Sequence, residues 1–82
     1  MSWFSIIWDD ENTAHVAEHG LTPEDVDAVL GDPIDEAISK SSGQPLFFGY
    51  ATDGRYILVS VMEIDEDTIY PITAYEVSEP QI

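Results

Sequence analysis

The chain has 82 residues and a formal charge of −15, because 17 acidic side chains face only two basic ones, Lys40 and Arg55. A surface this negative repels phosphate backbones and anionic lipid, which argues against nucleic acid and membrane surfaces and leaves cationic proteins, metal ions or plain solubility. The absence of cysteine excludes disulfides and thiolate metal sites, and 44% hydrophobic with 11% aromatic residues excludes a disordered acidic tail, so one folded domain over residues 1–82 in a reducing, cytoplasmic setting is expected.

Trp3, Phe4, Ile6, Ile7 and Trp8 open the chain as an apolar run suited to a strand. It lacks a basic leader region and falls far short of the about 20 residues of a membrane span. Asp9 then stands where an N-cap belongs, ahead of Asp10 and Glu11, whose charges suit the positive end of a helix that reaches about His19 and stops at Gly20. In the next helix Thr22 caps, Pro23 takes the first helical position and Asp25 completes a capping box. Leu21 and Val26 form the staple, Val26, Val29 and Leu30 make one apolar stripe, and Gly31, Asp32 and Pro33 end the element. Residues 34–44, with Ile34, Ala37 and Ile38, are compatible with either a short strand or an irregular loop.

Residues 46–52 and 55–63 flank Asp53-Gly54, the pair that best tolerates a two-residue hairpin turn. That turn pairs Thr52 with Arg55, Tyr50 with Ile57, Phe48 with Val59 and Leu46 with Val61, which places the core on their shared face. The opposite face, with Phe47, Gly49, Ala51, Tyr56, Leu58, Ser60 and Met62, is too apolar to be wholly wet. An acidic turn at Asp65-Glu66-Asp67 leads into a last strand over residues 69–77, where Pro71 cannot donate to a ladder and so marks an edge or a bulge. Helices segregated on an antiparallel sheet make an α+β domain.

Trp8-Asp9-Asp10-Glu11 through His19-Gly20-Leu21, the helix from Thr22 to its Asp32-Pro33 stop, Gly49, Asp53-Gly54-Arg55 with Leu58, Val59 and Val61, and Ile72-Thr73-Ala74 together resemble BrnT-type toxins. The resemblance implies a RelE-like fold: an N-terminal strand and two helices packed on one face of an antiparallel sheet of about four strands. It also implies a ribonuclease toxin held by a cognate antitoxin. The family is basic at places that here read Asn12, Glu18 and Tyr75-Glu76, and the spacing from Trp8 to His19 is about one residue shorter than its common form. His19, Gly20 and Arg55 carry over.

A metal-free ribonuclease needs a base, cationic groups for the phosphate and a donor for the leaving oxygen. Arg55, His19 and His15 are the candidates for those roles, with Lys40 a further cation, but one arginine does not neutralise an RNA backbone. Blander readings stand beside these. His15 and His19 lie one helical turn apart and can form half of a divalent metal site, yet a polar helix face is commoner. His19 also suits the helix C-terminal dipole, Arg55 suits surface ion pairs and Lys40 suits solvent. Asp65-Glu66-Asp67 lacks calcium-loop spacing, and the tyrosines and tryptophans are commoner in a core than as base-stacking platforms. Neither a metal nor a cofactor is expected. The resulting expectation is a non-catalytic acidic interaction module that engages a basic protein, an antitoxin-like protein or a second copy of itself; the alternative is an mRNA-cleaving toxin of a type II toxin–antitoxin pair.

Overall fold

The computed structural model describes residues 5–79, so Trp3 and Phe4 of the opening apolar run lie outside the described residues. The elements are β1 (Ser5–Ile6), α1 (Asp10–Ala17), α2 (Pro23–Gly31), β2 (Asp35–Ile38), β3 (Pro45–Tyr50), β4 (Tyr56–Glu63) and β5 (Thr68–Glu76). They form an α+β domain with a five-stranded sheet in the order β1-β5-β4-β3-β2. β1 runs parallel to β5 while the other neighbours are antiparallel, so the sheet is mixed rather than antiparallel and has one strand more than about four. The additional strand is β2, within the segment whose sequence left strand and loop open.

Both helices start as their capping residues dictate. Asp9 accepts the Asn12 N–H at 2.9 Å while Asn12 Oδ1 accepts the Asp9 N–H at 2.8 Å. Thr22 Oγ1 accepts the Asp25 N–H at 3.3 Å and Asp25 Oδ2 accepts the Thr22 N–H at 3.0 Å. α1 closes with Leu21 N–H on the Val16 carbonyl and Gly20 N–H on that of Ala17, both at 3.0 Å, with Gly20 at φ 73°. This pairing of bonds with a left-handed glycine is a Schellman end.

One core unites Val16, Leu21, Val26, Val29 and Leu30 of the helical half with Phe47, Ala51, Ile57, Val59, Val61, Ile69 and Ala74 of the sheet, so both helices cover the same sheet face. The hairpin differs from its sequence expectation by one residue. Phe47 pairs with Val59, Gly49 with Ile57 and Tyr50 with Tyr56. Ala51 N–H bonds the Arg55 carbonyl at 2.8 Å, leaving a three-residue loop, Thr52-Asp53-Gly54, with Gly54 at φ 91°. A glycine in that left-handed position suits a type I turn followed by a bulge as well as it suits a two-residue turn. Because the strand period is two, the slip moves every β3 side chain to the other face. Ile57, Val59 and Val61 are buried as expected, but their neighbours in the core are Phe47 and Gly49 of β3 and Ala51 just after it, rather than Leu46, Phe48 and Tyr50.

Gly49 explains why this register wins. A Cβ built there would lie 3.2 Å from Val29 Cγ1, so α2 seats directly on the β3 backbone. A second irregularity sits in β5, where Ser60 pairs with Thr73 but Val61 pairs with Pro71. Ile72 is the extra residue of a bulge, which is how Pro71 fits within a strand flanked on both sides. The freed carbonyl of Pro71 accepts the Asn12 amide at 3.0 Å, and the same Nδ2 reaches the Ile7 carbonyl at 2.9 Å. Asn12, only 1% exposed, thereby ties α1 to the end of β1 and to the β5 bulge.

Candidate functional site

The residues expected from sequence to carry ribonuclease chemistry are placed by α1 and the β3–β4 loop. His15 and His19 are both exposed. His15 Nδ1 lies 3.4 Å from the Ile72 carbonyl, a hydrogen bond when that nitrogen carries the proton, and the His19 ring tilts against Tyr75 with centroids 5.8 Å apart. Arg55 Nη2 donates to the Gly20 carbonyl at 2.8 Å, which brings the guanidinium to the end of α1 next to His19. Its Nε pairs with Asp53 at 2.7 Å, and Nη2 stands 4.0 Å from Asp25. Lys40 lies in the β2–β3 turn, at the opposite end of β3 from Arg55, and the six residues of that strand span roughly 20 Å. It does not join the group. Arg55 and His19 are thus neighbours through Gly20, but the guanidinium is engaged by a carbonyl and by carboxylates of its own chain.

Behind Arg55 lies a buried acid that sequence reasoning saw only as a cap. Asp25 is 4% exposed and accepts hydrogen bonds from Thr22 N–H and Oγ1 through Oδ2, and from Thr52 N–H and Oγ1 through Oδ1. Burial pushes its carboxyl pKa upward, but the hydrogen bonds from Thr52 and Thr22 outweigh that and hold it below the ordinary carboxylate value. The carboxylate joins the start of α2 to the hairpin loop, and Arg55 adds the α1–α2 turn to the same cluster. These bonds organise the fold locally and leave no vacant donor set.

The second candidate is the sheet face away from the helices. The register collects Leu46, Phe48 and Tyr50 of β3 with Ser60, Leu58 and Tyr56 of β4 on it, followed by Met62 opposite Tyr70. Phe48 and Tyr56 stack at 6.2 Å between centroids, and Tyr50 meets Tyr56 edge-on at 5.2 Å. Tyr56 is buried beneath these neighbours, whereas Tyr50 at 44% and Met62 at 40% exposure stand open. Carboxylates edge the patch. The Tyr50 hydroxyl donates to Glu79 at 3.2 Å, the Tyr70 hydroxyl donates to Asp9 at 3.0 Å, and Asp35 pairs with Phe48 across the β2–β3 ladder.

The phenols record that negative surround. Burial, then the Glu79 charge, raises the Tyr50 pKa; burial, then Asp35 and Glu79, raises that of Tyr56; burial and the Asp9 contact raise that of Tyr70. No Lys or Arg occurs in β3, β4 or β5 to offset it. An aromatic and aliphatic platform with an anionic rim can bury apolar side chains while attracting ammonium or guanidinium groups at its border. Sequence reasoning placed Phe48 and Tyr50 in the core. The signal that separates the faces was present in Gly49, since a glycine inside a strand marks close approach of another backbone element.

Among the described residues there is no concave pocket, no group of three His, Asp or Glu side chains placed to hold a metal ion, and no helix long and apolar enough to cross a membrane. Searches against family models, curated proteins and solved structures returned no match to this chain.

Proposed function

We propose that this chain is a non-catalytic protein-interaction module that binds a basic, amphipathic partner on the open face of its sheet. The observation that carries this reading is the platform of Phe48, Tyr50, Tyr56, Leu58 and Met62 with Asp9, Asp35 and Glu79 at its margins and no cation on its strands. Apolar exposure of this kind marks interaction surfaces, and the charge selects which partners approach. Within the proposal the domain is a divergent acidic relative of the BrnT-type toxins with a RelE-like arrangement, in which the basic places of the family have become Asn12, Glu18 and Glu76 and the partner is a basic or antitoxin-like protein. Asn12 supports this, because its buried amide is engaged by the Ile7 and Pro71 carbonyls of its own chain. The test is fluorescence anisotropy with a labelled amphipathic Lys/Leu helical peptide and its Glu/Leu counterpart. The basic peptide binds and weakens steeply with salt, while the acidic peptide does not bind; equal binding of both, or of neither, rejects the reading.

A second reading, an RNA-cleaving toxin, draws on the approach of Arg55 to the end of α1 beside His19. Growth arrest on expression and cleavage of RNA, both abolished by Arg55→Ala, would establish it in place of the first.

A further inference from the structure

β2 is the outermost strand on its side of the sheet, and all four of its residues are exposed. Its ladder to β3 pairs Asp35 with Phe48 and Ala37 with Leu46, and the Ser39 N–H bonds the Gln44 carbonyl at 2.9 Å. In an antiparallel pair the bonded positions alternate, so Asp35 and Ala37 turn their backbone groups toward β3 while Glu36 and Ile38 turn theirs outward. The opposition of Ile38 to Pro45, which has no N–H to give, agrees with that parity. The outward N–H of Glu36 is held by its neighbour, Asp35 Oδ1, at 2.9 Å. By that parity the Glu36 carbonyl and both backbone groups of Ile38 point away from β3, to the open side of the sheet. Beside this edge stand Ile34 and Ile38, 57% and 64% exposed, more exposed than any other large apolar side chain described.

An edge with free backbone groups and bare isoleucines is a template for another strand, and proteins commonly blunt such edges with lysine or proline. Here the edge carries Asp35 and Glu36 instead, on opposite faces of the strand. They act against a second copy, since pairing two β2 strands would set these carboxylates against one another between chains of charge −15. The same charges attract a cationic strand. We infer that the outer edge of β2 accepts an extended basic segment of a partner protein as a sixth strand, with Lys or Arg on the face of Asp35 and β-branched side chains on the face of Ile38. The backbone groups of Ile38 and the Glu36 carbonyl supply the ladder, and the Asp35 carboxylate releases the Glu36 N–H when a partner cation draws it away. This rests on the reading of the domain as a module for basic partners and specifies how one such partner engages: in extended form, at the border of the open face.

The probe is a capped, fluorescein-labelled peptide that alternates Lys and Val over about eight residues, with an alternating Glu/Val peptide as control. Amide hydrogen exchange of the wild-type protein with saturating Lys/Val peptide should slow at Ile38 by at least tenfold, a readout that needs no variant. Ile38→Pro removes an outward N–H without breaking a β3 bond and should weaken the peptide at least tenfold, while far-UV circular dichroism and binding of the Lys/Leu helical peptide stay unchanged. Ile38→Glu should weaken the Lys/Val peptide less than the proline does, because it keeps the N–H. Unchanged exchange at Ile38, or equal affinity of Ile38→Pro and wild type, overturns the inference. Should the Lys/Leu peptide bind and the Lys/Val peptide not, edge pairing fails while the proposed function stands; if the Lys/Leu peptide does not bind, the proposed function itself fails.

Discussion

The buried carboxylate of Asp25 accepts both the amide and the hydroxyl of Thr52, so the residue that completes the capping box of α2 is also the anchor of the hairpin loop. Hydrogen bonds to a buried charge contribute about 1.5–3 kcal/mol. Asp25→Asn should therefore lower the unfolding free energy by about 2–3 kcal/mol in urea titrations, and Thr52→Val by about 1 kcal/mol. A change below a few tenths of a kcal/mol in both would show that the clamp contributes nothing to the fold.

The same carboxylate makes stability depend on pH. Its pKa in the folded protein lies below the ordinary 3.8, so its contribution is complete above the unfolded value and is lost as pH falls through the folded one. Protonating the other acids relieves self-repulsion and acts in the opposite direction, so the quantity to follow is the difference between wild type and Asp25→Asn. That difference should be constant from about pH 7 to pH 5 and shrink below about pH 4. A difference that grows on acidification would contradict the assignment.

Gly49 tests the register, and Gly54 tests the turn. Gly49→Ala places a methyl 3.2 Å from Val29 Cγ1 and should destabilise by about 1–3 kcal/mol, as overpacking does. In the alternative two-residue hairpin Gly49 faces away from the core, and alanine would stabilise the strand by about 0.5–1 kcal/mol. A loss of stability supports the observed register. Gly54→Ala, at φ 91°, should cost about 1–2 kcal/mol.

Much of the fold was legible because local rules and tertiary needs agreed. Asp9, Thr22 and Pro23 announce their helices, and Ile57, Val59 and Val61 announce a core strand. Where two solutions share one sequence signal, legibility ends. Asp53-Gly54 suits two hairpin loops that differ by a residue, and only Val29 over Gly49 and Asp25 on Thr52 separate them. β2 lacked a signal because its residues are all exposed and show no alternation of burial. The open face is legible as too apolar, but three of its seven expected members, Phe47, Gly49 and Ala51, exchange with the core by the same slip. Arg55 suits both a phosphate grip and a surface ion pair; its bond to Asp53 is local, two residues away, whereas its bond to Gly20 joins segments 35 residues apart, which no local pattern announces.

The surplus of negative charge should make the fold respond to salt. Screening shortens the reach of repulsion from about 10 Å at 0.1 M to about 3 Å at 1 M ionic strength. The thermal midpoint should rise by several degrees over that range in sodium chloride, and a fall would show that attractive ion pairs such as Arg55 with Asp53 outweigh the net repulsion.

The most direct test of the account is an NMR titration of the protein with the unlabelled Lys/Leu helical peptide. The account predicts shifts concentrated at Phe48, Tyr50, Tyr56, Leu58 and Met62, and at least a tenfold loss of affinity in the double variant Tyr50→Ser, Met62→Ser, whose exposed side chains leave the core intact. Shifts concentrated at the remote acidic turn at residues 65–67, with the double variant binding as well as wild type, would contradict it.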